Sequence, residues 1–598
     1  MEWQVVSPTQ IPALGRKVAT WKACALDIET TGENIWLGAK VIGLGLSNFE
    51  DEKYYYLPLL GVALHDLRPI FDPLEQITLM GHNIKFDLHG LASLGWQGKQ
   101  ERFVDTLVMA RLWARDQHPQ LGLEHLAKQL FNYDYEYPDI VKRVKSGKTE
   151  DLDPRDLGYK CCQDLYLTKR LYRWLKGHMS PGLLKLFVRE TELTRDLFDM
   201  EQRGALIDKE YLQQATNTLE KELSLLLGQI CQQVGNPDFN PASPQQVRAL
   251  MEGLGIKPKA YTPKGEASWK REALLQVRSQ HPVALAIAKY KALEYQRNGM
   301  VQRAWDYIEA GCDEFHMEFK NWGTVTGRLS GDGQQMPKGW LQFRAEGEGE
   351  DILVWKHGEE AKEQEFSLRR LIKPRPGYVL VKGDYNQIEM HILGYYMKDP
   401  IFTAWLASGN VHAAAALEIW GDGEKYYDRG KVYNFATVYG QGDKSRAEQL
   451  GCSLQESQQY REDYNGRMPG YYRLLHKIEG LLQRDDFITN IYGREYWLET
   501  HLAYKGVNYI CQGSAGDFCK FKLPETRDLR QQMGIVPILT THDDIAFEVP
   551  LDSIGGLPEL KKQLQQSPFG KPLEIDMEYS RDSLVQLRPL EELLNATT

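Results

Sequence analysis

Pro537-Ile538-Leu539-Thr540-Thr541-His542-Asp543-Asp544-Ile545-Ala546-Phe547-Glu548-Val549 puts two adjacent carboxylates at the tip of a hairpin. Ile538 to Thr541 on one side, and Ile545, Phe547 and Val549 on the other, read as two short strands. Neighbouring carboxylates repel, so this tip is favourable mainly where a divalent cation neutralises it. Solvated turn aspartates look the same, and the tip gains meaning only from a second segment. In Tyr378 to Tyr385 an apolar run ends on Asp384, and Ile388, Ile392 and Leu393 then continue at helical spacing. Alone, Asp384 reads as the N-cap of that helix. Paired with Asp543, it reads as half of a two-metal site that stabilises the attacking and leaving oxygens of a phosphoryl displacement.

Between these segments, Lys431, Phe435 and Tyr439 fall at i, i+4 and i+8, which places a cation and two rings on one helical face. The cation suits a triphosphate and the rings suit a base or sugar. An isolated helix of this kind is equally a buried aromatic stripe with a snorkelling lysine.

Together these segments resemble the family A DNA polymerases. Asp384-Tyr385-Asn386-Gln387-Ile388-Glu389 is similar to motif A, Lys431 to Gly440 to motif B, and His542-Asp543-Asp544 to motif C. Thr326-Gly327-Arg328-Leu329-Ser330 upstream and Asn508 to Ala515 downstream fit in order and spacing. The resemblance implies a right-hand polymerase in which Asp384, Asp543 and the carbonyl of Tyr385 hold two Mg²⁺, with Mn²⁺ as a substitute. It further implies dNTP contacts from Lys431, Phe435, Tyr439, His412, Glu389 and Gln387, and from Tyr427 or Arg429. Primer-template DNA would meet Arg328, Asn508, Gln512 and His542. Glu389 would exclude a 2′-OH.

The N-terminal third carries separate chemistry. Ala23 to Gly32 reads as a strand ending in Asp27-Ile28-Glu29; residues i and i+2 share a face, so both carboxylates can grip one metal pair. With Gly81-His82-Asn83-Ile84-Lys85-Phe86-Asp87 and Tyr159-Lys160-Cys161-Cys162-Gln163-Asp164, these residues resemble the DEDD 3′–5′ exonucleases. The resemblance makes Asp27, Glu29, Asp87 and Asp164 metal ligands. One departure stands out, because the tyrosine usual four residues before the last aspartate is here Lys160. Tyr159 lies one register away; either it reaches the attacking water from there or the role is lost. Other departures are Tyr427 where motif B usually has an arginine (Lys425 or Arg429 could substitute), Tyr504 beside Lys505 where an arginine often precedes Asn508, and Asp544 in place of the commoner glutamate.

Bulk properties fit this class. The 598 residues imply several subdomains with ample core. Eight scattered cysteines lack zinc spacing and suit a reducing compartment, and no apolar run reaches membrane length. A net charge of −10 runs against nucleic-acid binding, but two metal sites demand carboxylates and only the groove must be basic. Arg369 to Arg375 supplies one basic stretch. The acidic segment within 338–366 reads as a solvated loop.

The expected fold is α/β (α+β multidomain): a ribonuclease H-like exonuclease domain at 1–175, then thumb and connecting helices at 176–325. Palm segments follow at 326–405 and 535–598, with fingers at 406–534 between them. The expected enzyme is a monomeric, cytoplasmic DNA-directed DNA polymerase with proofreading and no 5′ nuclease. It would serve phage or plasmid replication, in the host's cytoplasm where viral, with helicase and single-strand binding protein as partners and no membrane. A non-catalytic replication accessory and an exonuclease-dominated repair enzyme are the rivals, and primer extension separates the three.

Overall fold

β-Branched and aliphatic residues in Ala23–Thr30 (β2) make the centre of a six-stranded mixed sheet in the computed structural model. The structure describes residues 1–98, 102–115, 117–118, 120–135, 140, 142–143, 152–262, 264–333, 340–343, 353–356, 367–541 and 543–596. With Glu2–Val5 (β1), Val41–Asn48 (β3), Lys53–Pro58 (β4), Thr78–Gly81 (β5) and Phe103–Asp105 (β6), the strand order is β1-β4-β3-β2-β5-β6. Asp27 pairs with Gly45 and Glu29 with Gly43 across the β2–β3 ladder. Directly opposed residues share a face, so two carboxylates lie beside two positions without side chains. Helix Ile84–Ser93 (α1) brings Asp87 to the sheet, and Pro154–His178 (α2) packs against it. A Cβ at Gly45 would collide with Cys161 Sγ of α2. The glycine therefore lets α2 approach closely enough to deliver Lys160 and Asp164.

Helix Pro181–Arg203 (α3) leads to Lys209–Val234 (α4), whose start is capped by Asp208 accepting the amides of Glu210 and Tyr211 at 3.1 Å. Pro282–Gln296 (α5) passes into a π-helical turn at Arg297–Val301 before helix resumes at Gln302. Asn298 and Gly299, poor helix formers, occupy that turn.

The second sheet is antiparallel, with Tyr378–Tyr385 (β7) at its centre. Val536–Thr540 (β8), Asp544–Pro550 (β9), Ile575–Ser580 (β10) and Arg588–Pro589 (β11) complete the order β8-β9-β7-β10-β11. Val379, Leu380 and Val381 are fully buried, as a strand flanked on both sides requires. Strands β8 and β9 form the hairpin expected at 537–549, and Asp543 stands in its turn.

The helices that carry the remaining site residues are Ile388–Met397 (α6), Val411–Trp420 (α7), Tyr427–Tyr439 (α8), Leu454–Gly466 (α9) and Ala503–Glu525 (α10), with α10 packed against both α6 and α8. One apolar core runs from Leu107 through α3 to Leu593, while a separate core fills the N-terminal sheet. Among the described residues no helix is long and apolar enough to cross a membrane. His542 and most of 338–366 lie outside the described residues, apart from a strand pair at Trp340–Phe343 and Leu353–Lys356.

Two candidate carboxylate sites

Strand β7 ends with Asp384 opposite Asp544 of β9 and opposite Asp576 of β10. The amide of Tyr385 donates to the carbonyl of Asp543 at 3.0 Å, which pins the hairpin turn against β7. Carboxylate oxygens of Asp384, Asp543 and Asp544 thereby come within 4.8 Å of one another. Asp384 is thus a strand-end residue and not the helix cap, a position that falls to Gln387 in the left-handed region. Lys382, two residues earlier on the same face, brings Nζ to 3.3 Å from Asp384 and 3.7 Å from Asp544. Sequence reasoning passed over Lys382 and Asp576, although strand alternation from Asp384 points to the first.

Helix α8 presents Lys431, exposed, one turn before Phe435 and two before Tyr439. The Phe435 ring stacks on Tyr439 at 5.8 Å and tilts against His412 at 5.4 Å. The Tyr464 hydroxyl donates to Asn434 Oδ1, so the Asn434 amide donates to His412 Nδ1 at 2.9 Å and leaves Nε2 to carry the imidazole proton. Burial, then Lys431, pushes the His412 pKa down to about 4. At neutral pH this side chain offers an N–H and no charge. Tyr427 packs edge-on against His412 at 5.9 Å.

Glu389 is the hub of the opposite wall. It accepts the Tyr439 hydroxyl at 2.8 Å and pairs with Arg328 Nη2. Arg328 crosses α10 at Gly516, where any Cβ would meet its Cγ at 2.8 Å, and Gln512 and Asn508 lie one and two turns earlier on that face. Beneath this crossing, Lys520 Nζ donates to the Gly327 carbonyl at 2.8 Å.

Three expectations are corrected here. Arg429 does not face the substrate side: two residues from Tyr427 turns it by about 200°, and its guanidinium is boxed by Trp420, Tyr426 and Tyr460, the last at 3.9 Å. The Gln387 amide is spent on backbone, donating to Gly409 O at 3.2 Å and accepting from Val411 N at 3.3 Å. The basic stretch before β7 turns inward, with Arg369 buried near Asp544 and Arg375 paired to buried Glu548 at 2.6 Å.

In the N-terminal cluster, Asp27, Glu29 and Cys161 offer atoms within 4.8 Å of one another. The Cys161 thiol donates to the Asp27 carbonyl, and burial raises its pKa well above the usual thiol value, so it stays protonated beside a hard-oxygen set. Burial also raises Asp27 and Asp87, and lifts Glu29 to about 7. Asp87 Oδ1 accepts the amide of Ile28 at 3.0 Å, which holds it beside Asp27. Asp164 and Lys160 come from α2. Tyr159 is placed elsewhere: its ring packs edge-on against Trp3 at 5.7 Å. The hydroxyl that reaches Asp164 belongs to Tyr135, which sequence reasoning missed.

Comparison with known proteins decides the family. The model for DNA polymerase family A matches residues 209–583. The chain belongs to that family. A 3′-5′ exonuclease model matches residues 5–177 ahead of it. DNA polymerase I of Chloroflexus aurantiacus is 26% identical over 556 residues, covering 87% of this chain and 56% of that protein. DNA polymerase I of Helicobacter pylori is 26% identical over 570 residues, covering 89% and 59%. That of Borreliella burgdorferi is 23% identical over 590 residues, covering 93% and 62%. The chain thus spans about six-tenths of the length of the curated relatives it matches. The fold is shared with the POL domain of Pol1 from M. smegmatis, solved in complex with DNA primer-template and dNTP. That match has a TM-score of 0.77 and 19% identity, and covers 97% of this chain and 99% of that one. These relatives are bacterial and lend no support to the expected phage or plasmid setting.

Proposed function

We propose that this family A member carries out template-directed DNA synthesis, adding deoxynucleotides from dNTPs to a primer 3′-OH, and that its N-terminal domain hydrolyses nucleotides from 3′ ends. The observation that carries the first activity is the strand-end triad Asp384, Asp543 and Asp544, joined through Glu389, five residues after Asp384, to Tyr439 on the helix that carries Lys431 and Phe435. All-oxygen donors within 4.8 Å suit Mg²⁺. When bound, such ions supply Lewis-acid activation of the attacking hydroxyl and neutralise triphosphate charge. The protein's own part is positional. Lys431 meets the triphosphate, neutral His412 gives it an N–H, and Phe435 lies under the sugar. Glu389, held by Arg328 and Tyr439, bars a 2′-OH. Arg328, Asn508 and Gln512 face the minor-groove acceptors common to all correct pairs. In this assignment residues 1–175 are the exonuclease, 176–325 the thumb region, 326–405 and 535–598 the palm, and 406–534 the fingers.

Primer extension with Mg²⁺ and four dNTPs tests this. The chain should extend the primer, and Asp543→Asn should lower the rate by well over about tenfold while leaving duplex binding near normal. Residual extension within tenfold of the unaltered chain would remove Asp543 from the site.

A further inference from the structure

One position in the exonuclease carboxylate cluster is filled by the protein itself. Lys160 Nζ lies 2.9 Å from Glu29 Oε1 and 2.9 Å from Asp164 Oδ2. The contact is sheltered, with side-chain exposures of 17% for Lys160, 2% for Glu29 and 13% for Asp164. It is also easily held, since Lys160 and Asp164 are one helical turn apart. The other oxygen of Asp164 accepts the Tyr135 hydroxyl. Glu29 Oε1 and both oxygens of Asp164 are therefore taken by donors from the chain. The far side of the cluster differs. Asp27 Oδ2 is buried with no hydrogen-bond partner among the described residues. Asp87 is held beside it by the Ile28 amide, which donates to its Oδ1 at 3.0 Å.

Two-metal phosphoryl chemistry places its cations about 3.5–4 Å apart, each sharing carboxylates with the other. Here an ammonium occupies the Glu29–Asp164 side, and a divalent ion there would meet a fixed positive charge at contact range. We propose that Lys160 stands in one of the two cation positions, so that this exonuclease site takes one divalent ion, held by Asp27 beside Asp87, in place of two. Lys160 is a positioning residue in this scheme: it keeps Glu29 and Asp164 in place and supplies one of the charges a second metal would bring. The inference rests on the proposed metal-dependent exonuclease.

The test counts ions. Full-length chain carrying Asp384→Asn and Asp543→Asn, which silences the polymerase cluster, is titrated with Mn²⁺ and unbound Mn²⁺ is read by electron paramagnetic resonance. One Mn²⁺ site that disappears on Asp27→Asn is expected. Lys160→Met, similar in length without the charge, should bind two, while Lys160→Arg should still bind one. Thermal melts of each variant confirm folding, and the count on the Lys160 chain stands even if Lys160→Met fails to fold. Two sites of similar affinity with Lys160 present, or one site still in a folded Lys160→Met, would overturn the proposal. Binding of no ion by either chain would overturn the metal-dependent reading of this domain itself, and the proposal with it.

Discussion

Phe435 is the residue whose identity makes the sharpest chemical statement. Its ring is sandwiched between Tyr439 and His412 and carries no hydroxyl. A dideoxynucleotide entering beside it would leave a phosphate oxygen without the hydrogen bond that the 3′-OH supplies, at a cost of about 1–3 kcal/mol. Strong discrimination against dideoxynucleotides is therefore expected, about tenfold to a hundredfold, and Phe435→Tyr should largely erase it. Competition assays on one template measure this as the ratio of termination to extension. An unchanged ratio would mean that Phe435 does not face the sugar. The same scale shows what the sequence discloses. Lys431, Phe435 and Tyr439 were legible because 3.6-residue periodicity is local, and that arithmetic also sets Arg429 on the opposite face. Tyr135 was not legible, since nothing in its neighbourhood signals that the fold carries it 29 residues forward to Asp164.

At the scale of elements, α3, α10 and the residue leading into the strand Glu495–Trp497 meet in a buried ionic cluster. Arg494 and Lys520 each approach Glu190 at 2.5 Å, and Asp517 at 2.7 and 2.9 Å. All four side chains are 3% exposed or less, and Asn321 closes the set at 3.1 Å from Glu190. Removing one partner strands a buried charge, so Glu190→Ala should cost about 3–5 kcal/mol. Because Lys520 also supports the Gly327 carbonyl, the variant should weaken primer-template binding through Arg328 even at temperatures where it stays folded. Chemical denaturation and a DNA-binding titration check the two effects, and a loss under about 1 kcal/mol would show the cluster is not structurally committed. The hairpin was readable from β-forming residues flanking a polar tip, and the strand ending at Asp384 from its apolar run. The cluster was not, because its members are drawn from positions 190, 494, 517 and 520 and each looks like an ordinary helix or turn charge in isolation.

For the molecule as a whole, one buried and two half-buried histidines contribute to the response to mild acid. Burial pushes His82, His391 and His412 each down to about 4 from an ordinary 6.5. The folded state keeps them neutral while the unfolded chain binds their protons, so the stability they confer is complete above about 6.5 and is lost as pH falls toward 4. Asp517 acts in a lower window. Burial opposes its charge, but Arg494 and Lys520 outweigh burial and hold its pKa below the usual carboxylate value. Its contribution stays intact until the pH drops below about 4. The raised carboxylates of the N-terminal cluster gain stability over the same range, so the histidine contribution is read as a difference: between pH 6.5 and 5 the melting temperature of the unaltered chain should fall relative to that of His412→Gln. Parallel profiles for the two chains would contradict the burial of His412.

The box around Arg429 has a mechanical consequence. One guanidinium is clasped by rings from the end of α7, the turn before α8, and α9. Segments stapled at a common point swing as a single lever and do not slide past one another. Any swing of the Lys431 face must then carry α7 and α9 along, with bending confined to the chain before α7 and after α9. Gly409, in the left-handed region, stands at the first of those places.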